Sequence, residues 1–285
     1  MHTTDGEAGG QRRLCRPLQC PPKTGRFTGE VARELAGVAG LKRLDLVPHP
    51  ESAPQALEAF RDHPTLSELG IRLDGAAQAW IDSIAGLRDI LRALELPPRR
   101  LEPSGSERGT PLDGEILAPL ATMLELRELR LVDVIDPASE PVSWVSDLPH
   151  LERFRFHRYD IGRFHVRLSQ PLAQWYMTEG TIGTLEISRW PESRSVVALD
   201  NPRSRARQLG QAVCGIDVRG HVRHYVFRDM PHVTLIGLRG GTTDTITLDG
   251  DLSSLEKLSH LCAARRAEVV VMPRAKIGRI AREGR

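Results

Sequence analysis

The residues of this chain whose types and spacing could do chemistry are arginines and carboxylates in the gaps of an aliphatic pattern. Arg43 and Asp45 lie in GLKRLDL, Glu68 and Arg72 in TLSELGIR, and Glu95 in LRALEL. Glu128 and Arg130 lie in LRELRL, Arg153, Arg155 and His157 in LERFRFH, and Thr184, Glu186 and Ser188 in TIGTLEIS. Each sits directly beside an aliphatic or aromatic residue of that pattern. On a strand, side chains alternate between faces, so this spacing sends the apolar residues to one side and the charged ones to the other. The charged side leans acidic near Glu68 and Glu95 and basic from Arg153 to His157. Mixed charge on one regular surface is suited to docking a polar protein surface.

The other reactive residue types do not assemble into a known motif. His221 and His224, in HVRH, would face opposite sides of a strand, and His157 and His165 flank an expected loop. Cys15, Cys20, Cys214 and Cys262 are too scattered for a disulfide framework, and a zinc site at the first two would need two further nearby ligands. GLRGGTTDTITLDGD lacks the lysine and the helix of a phosphate loop and reads as a tight turn between strands. No G-x-S-x-G or H-E-x-x-H is present, so neither an enzyme nor a cofactor or metal is expected. Arginines cluster at Arg203, Arg205 and Arg207 and at Arg153, Arg155 and Arg158, but 39 basic side chains face 37 acidic ones, a net charge of +2. A dedicated nucleic-acid binder would be more basic. Arg265 and Arg266 read as partners of a helix C-terminus. No apolar run reaches membrane-spanning length, so no membrane span is expected.

The elements that must position the charged residues follow from a repeat. L-x-x-L-x-L recurs as Leu41, Leu44, Leu46; Leu66, Leu69, Ile71; Leu91, Leu94, Leu96; Leu126, Leu129, Leu131; and Leu151, Phe154, Phe156. The step is 25 residues from Leu44 to Leu69, from Leu69 to Leu94 and from Leu129 to Phe154. A fixed period in this range marks a leucine-rich-repeat array. Between the strands, helical faces are expected through Val31, Leu35 and Val38, then through Leu57 and Phe60 behind a capping box of Ser52 and Gln55. Further faces run through Trp80, Ile84 and Leu87, and through Ile116, Leu120 and Met123. The expectation is an α/β repeat fold: a curved leucine-rich-repeat solenoid with parallel strands on the concave face and short helices on the convex face.

The array is irregular. PPRRLEPSGSERGTP inserts an exposed loop between Leu94 and Leu129. From Phe154 the next match is Leu185, a step of 31, and RWPESRSVVALDNPRSRARQLGQAV has little periodicity. Tyr225 and Ile236 compete as the anchor of a later repeat. LSSLEKLSHLCAARRAEVVVMP reads as a helix and a last strand, Val269 to Val271, stopped by Pro273. The usual Asn or Cys after each strand is missing: His49, Asp74, Arg99, Val134, Tyr159 and Trp190 stand there. Residues 1–27, polar and without periodicity, are expected to be disordered, 28–273 to form the solenoid and 274–285 a tail.

LELPP at Leu94–Pro98 resembles the aliphatic-Pro-Pro step of type III secreted leucine-rich-repeat effectors. DLSSLEKLSHLCAARRAEVVVMP resembles the closing cap of those that plant-pathogenic bacteria join to an XL-box ubiquitin-ligase region. The resemblance implies a bacterial effector secreted into a host cell by a non-Sec route, with residues 1–27 as secretion signal. No ligase region follows Pro273, so that activity is not carried over. Lysine is confined to Lys23, Lys42, Lys257 and Lys276, which fits either a high-GC genome or escape from ubiquitin attachment in a host. The functional expectation is a non-catalytic scaffold that binds a partner protein, such as a host protein. Its binding face would comprise Arg43, Asp45, Glu68, Arg72, Glu95, Glu128, Arg130, Arg153, Arg155, His157 and Glu186. The alternatives are the substrate-recognition part of a ubiquitin-ligase-type effector and nucleic-acid binding through the arginine clusters. The bacterial cytoplasm is the other expected location.

Overall fold

A computed structural model describes residues 27–73, 77–97, 111–136, 142–167, 174–188, 196–199, 215–231, 233, 235–239, 242–261, 267–277 and 281–282 of the 285-residue chain. The protein is an α/β fold on a large parallel sheet, with few helices. Among the described residues thirteen strands join this sheet and every strand pairing is parallel.

The repeat sets the first five strands: β1 (Arg43–Leu46), β2 (Glu68–Ile71), β3 (Ala93–Leu96), β4 (Glu128–Asp136) and β5 (Arg153–Arg167). The recurring pattern places equivalent residues in line, so Leu44 lies beside Leu69, Leu69 beside Leu94 and Leu129 beside Phe154 across steps of 25, and Leu94 beside Leu129 across the longer step of 35. All five are buried, as are Leu46, Ile71, Leu96, Leu131 and Phe156 in the parallel row. The insertion between β3 and β4 falls mostly in 98–110, outside the described residues.

Helices close the apolar side of this half. α1 (Gly29–Ala36) starts at Thr28, whose hydroxyl accepts from the Val31 amide. Its buried residue is Ala32, whereas Val31 of the expected face is exposed. The expected capping box does not form. Ser52 Oγ instead accepts from the Phe27 amide at 2.9 Å, and a 3-10 helix over Pro54–Phe60 follows without a side-chain cap. That contact brings Phe27, expected to lie in a disordered segment, into the core, stacked on Phe60 at 6.5 Å. α2 (Ala77–Ala85) buries Trp80, Ile81 and Ile84, and α3 (Gly114–Leu117) runs into a 3-10 helix over Ala118–Thr122.

Beyond Phe156 the architecture changes. β5 continues through a phase slip: its buried residues are Phe154 and Phe156, then Tyr159 and Ile161, then Phe164 and Val166. Two successive residues point outward at each slip and the chain turns there, since the Phe164 ring comes back to 5.9 Å from that of Phe154. At the first slip Arg158 has a positive φ of 51°, in line with Asp133 at 58° on β4 and Glu179 at 59° on β6 (Gln174–Ser188). This left-handed conformation is uncommon outside glycine. The Arg158 guanidinium grips the Asp133 carboxylate with two bonds of 2.8 Å, which ties consecutive corners together. At the second slip Gly183 lies where a Cβ would come within 2.4 Å of the Gly162 carbonyl oxygen.

The neighbour of Phe154 is therefore Trp175, 21 residues on, and Leu185 pairs with Phe164. The expected step of 31 compared residues in two different columns. β8 (Gly215–Arg228) lies beside β6, and β7 (Val196–Leu199) inserts between β8 and β9 (Leu235–Arg239). Tyr225 and Ile236 do not compete. Tyr225 faces Ile246 of β10 (Thr245–Asp249), and Ile236 faces Leu258 of β12 (Lys257–Leu261).

The end of the chain departs from expectation in two ways. Lys257–Leu261 is strand β12, not helix, and residues 262–266, with Arg265 and Arg266, lie outside the described residues. β13 (Glu268–Val271) forms as expected, but the segment expected as a tail adds β14 (Lys276–Ile277), paired with β11 (Asp251–Leu252), and β15 (Ala281–Arg282), paired with β12. All four cysteines and the cluster at Arg203, Arg205 and Arg207 lie outside the described residues, as do 1–26. No helix among the described residues is long and apolar enough to cross a membrane.

Candidate protein-binding face

The outward positions of β1–β5 form two rows. The first runs Arg43, Glu68, Ala93, Glu128, Arg153, and the second Asp45, Gly70, Glu95, Arg130, Arg155. Long charged side chains crowd these rows except at Ala93 and Gly70. At Ala93 this leaves a shallow depression of about 90 Å³, walled by Arg43, Glu95, Glu128, Arg130, Arg153 and Arg155.

Gly70 has a direct consequence. With no side chain between Asp45 and Glu95, the Arg43 guanidinium spans β2. It bonds Asp45 at 3.0 Å, Glu68 at 3.3 Å and Glu95 at 3.0 Å. Partial burial opposes its charge, but the hydrogen bonds it donates to Asp45 and Glu95 and their Coulombic attraction outweigh this, so its pKa is held above the ordinary arginine value. Across the depression Arg153 pairs with Glu128 at 2.6 Å. Arg130 is almost wholly buried, 6% exposed, and donates to the Pro97 carbonyl. Its guanidinium is part of the floor.

Charge divides along the face. Arg43, Asp45, Glu68 and Glu95 on β1–β3 sum to −2, and Glu128, Arg130, Arg153 and Arg155 on β4–β5 sum to +2. The sign changes between β3 and β4, over a strand spacing of about 4.8 Å.

Three expected site residues lie elsewhere. Arg72 follows the end of β2, its amide bonded to the Leu46 carbonyl, and is not part of the depression. His157 stands one position past the two rows, hydrogen-bonded to Thr178 Oγ1 at 2.8 Å and 3.6 Å from Glu179. Glu186, with Thr184 and Ser188, belongs to another column: these residues lie beside His165, Arg163 and Arg167, beyond both slips of β5.

That column holds a second cluster, which the sequence reading missed. Glu186, buried, is 2.9 Å from Arg228, 3.5 Å from Arg163 and 3.9 Å from His165. Arg228 also bonds Asp249 at 2.9 Å, and His165 Nε2 lies 2.7 Å from the buried Ser188 Oγ. His165 is thus a strand residue rather than a loop flank. Ser and Glu approach the same imidazole nitrogen, so the arrangement is not a nucleophile–base–orienter relay. It ties four neighbouring strands together. His221 and His224 each bond the threonine opposite, Thr242 and Thr245, and both are on the outer side because the slip there makes Arg223 and His224 successive outward residues. The signal for this column was the spacing of Phe154, Tyr159 and Phe164, in which a period of two is interrupted.

Among the described residues no group of three His, Cys, Asp or Glu side chains is placed to hold a metal ion. The chain matches no known family model, and neither the curated proteins nor the solved structures give a match.

Proposed function

We propose that the protein is a non-catalytic binding scaffold whose β1–β5 face docks a partner protein of complementary charge order, basic over β1–β3 and acidic over β4–β5. The observation that carries this is the depression between Glu95 and Arg130, flanked by opposite net charge on a surface of regular strands. At about 90 Å³ it is far below the roughly 300–1,000 Å³ of sites that enclose small molecules. It is the right scale for one side chain of a partner, a carboxylate seated between Arg130 and Arg155. Such complementarity chiefly sets association rate and specificity.

The fold behind the face is read as a stacked-repeat solenoid, leucine-rich with helices in the first half and wound from strands among the described residues of the second, with β1–β5 on its concave side. Placement in a bacterial effector secreted into a host cell rests on the resemblance at Leu94–Pro98 and at the C-terminal cap, and on the polar N-terminal segment. Fusion of residues 1–60 to a translocation reporter tests it, and absence of delivery would remove it. Nucleic-acid binding is the less favoured reading, because 39 basic side chains are balanced by 37 acidic ones.

The test of the binding reading is affinity capture followed by mass spectrometry, with the wild type beside Arg153→Glu/Arg155→Glu. Arg130 is left intact because its buried bond to Pro97 makes it part of the fold. Proteins that the wild type captures and the folded variant loses support the reading. An unchanged captured set counts against it.

A further inference from the structure

We propose that the outer edge of β13 pairs with the same edge of a second copy of this chain, antiparallel about a two-fold axis at Val270. Val269 and Val271 lie in register with Ile246 and Leu248, whose side chains are fully buried. They continue the same core columns, yet they are 40% and 47% exposed, and the adjoining Met272 is 39% exposed. A core column that ends uncovered is an apolar surface awaiting another layer.

The backbone supplies the donors. The Glu268 and Met272 amides donate to Asp244 and Leu248 on the β10 side, each at 3.0 Å. By strand alternation the Val269 and Val271 amides point to the opposite edge. Among the described residues β13 pairs with β10 alone. Exposed edges are usually blunted by charge, proline or a bulge. Here the edge is three successive valines, and Pro273 comes only after them.

The edge is complementary to itself. A two-fold axis at Val270 sets Val269 opposite Val271 of the second copy, so all outward amides find carbonyls. It brings these four side chains together on the core side of the joined sheet. It also lays the exposed Glu268 against the turn that carries Arg274 of the other copy, once on each side of the axis. An edge this short buries less than the roughly 1,200 Å² of a stable interface, so the dimer is weak and concentration-dependent. Two copies joined here would present two charged faces, and a partner with repeated sites would gain by multivalency.

Sedimentation equilibrium on the full chain across a concentration series tests this. The expected mass rises from 31.7 kDa toward twice that value. Val271→Asp holds the protein at the monomer mass with its melting unchanged. Glu268→Arg weakens association about tenfold by setting like charges together, and adding Arg274→Glu restores it. A monomer at every concentration would overturn the proposal. So would association that survives Val271→Asp, or, should that variant not fold, association indifferent to the charge swap.

Discussion

The helix-backed half and the strand-walled half use one strand pattern and close their cores in two ways. Behind β1–β4, Leu57, Phe60, Trp80, Ile81, Ile84, Leu117 and Leu120 come from helices and cover the inward leucines. From β5 onward, where the described residues hold no helix, Tyr159, Ile161, Phe164 and Val166 return from the same strand to do it. The junction is filled with rings: Phe154 lies 5.5 Å from Phe156, 5.9 Å from Phe164 and 5.1 Å from Trp175. The comparison teaches that the charged face proposed for binding belongs to the regular half. The repeated strand pattern puts Arg43, Glu68, Glu128 and Arg153 in one row, whereas Glu186 in the other half stands in a separate column.

The sharpest way to break this comparison is to empty the junction. Phe154→Ala should cost about 3–5 kcal/mol by denaturant unfolding, more than any single change at the face, because a fully buried ring with three aromatic neighbours is lost. Gly183→Ala should cost about 1–3 kcal/mol, since its Cβ meets backbone rather than a movable side chain. Hydrogen exchange should place the lost protection in β5–β10 and leave β1–β3 as they were. Uniform loss across both halves would mean that they unfold as one unit. In the helix-backed half, Ser52→Ala strands the buried Phe27 amide and should cost about 1–2 kcal/mol, with exchange rising at α1.

The smallest expected effect concerns Tyr159. Burial pushes its phenol above the ordinary value of about 10. A pKa raised in the folded state favours the neutral form there. Its contribution is present below pH about 10 and is lost as pH rises further, when the unfolded chain ionises first. The hydroxyl, buried, also has no hydrogen-bond partner among the described residues. Tyr159→Phe should therefore keep or slightly raise stability at neutral pH and flatten its alkaline decline in melts from pH 8 to about 11.

The regular half was legible because leucines in the recurring L-x-x-L-x-L pattern state both strand and register. Arg43, Glu68, Glu95, Glu128, Arg130, Arg153 and Arg155 therefore come together as the spacing predicts. What spacing could not tell is contact across two strands. Arg43 reaches Glu95 only because position 70 is glycine, and the depression exists because position 93 is alanine. The second half hid its architecture for a different reason. Its corners stand on Asp133, Arg158 and Glu179, ordinary charged residues in a conformation that sequence reading reserves for glycine. Trp175 takes the place beside Phe154 where a leucine pattern has no match. Lys257–Leu261 reads as a helix by composition, and its pairing with β9 overrides that preference.

The central claim is that β1–β5 bind a protein by charge order. Its most direct test is the affinity of the captured partner, by titration calorimetry, for the wild type, for Arg153→Glu/Arg155→Glu and for Thr184→Glu on the other wall. The account predicts at least a roughly tenfold loss, about 1.4 kcal/mol, for the paired reversal at unchanged melting temperature, and no loss for Thr184→Glu. Equal affinity for all three would contradict it.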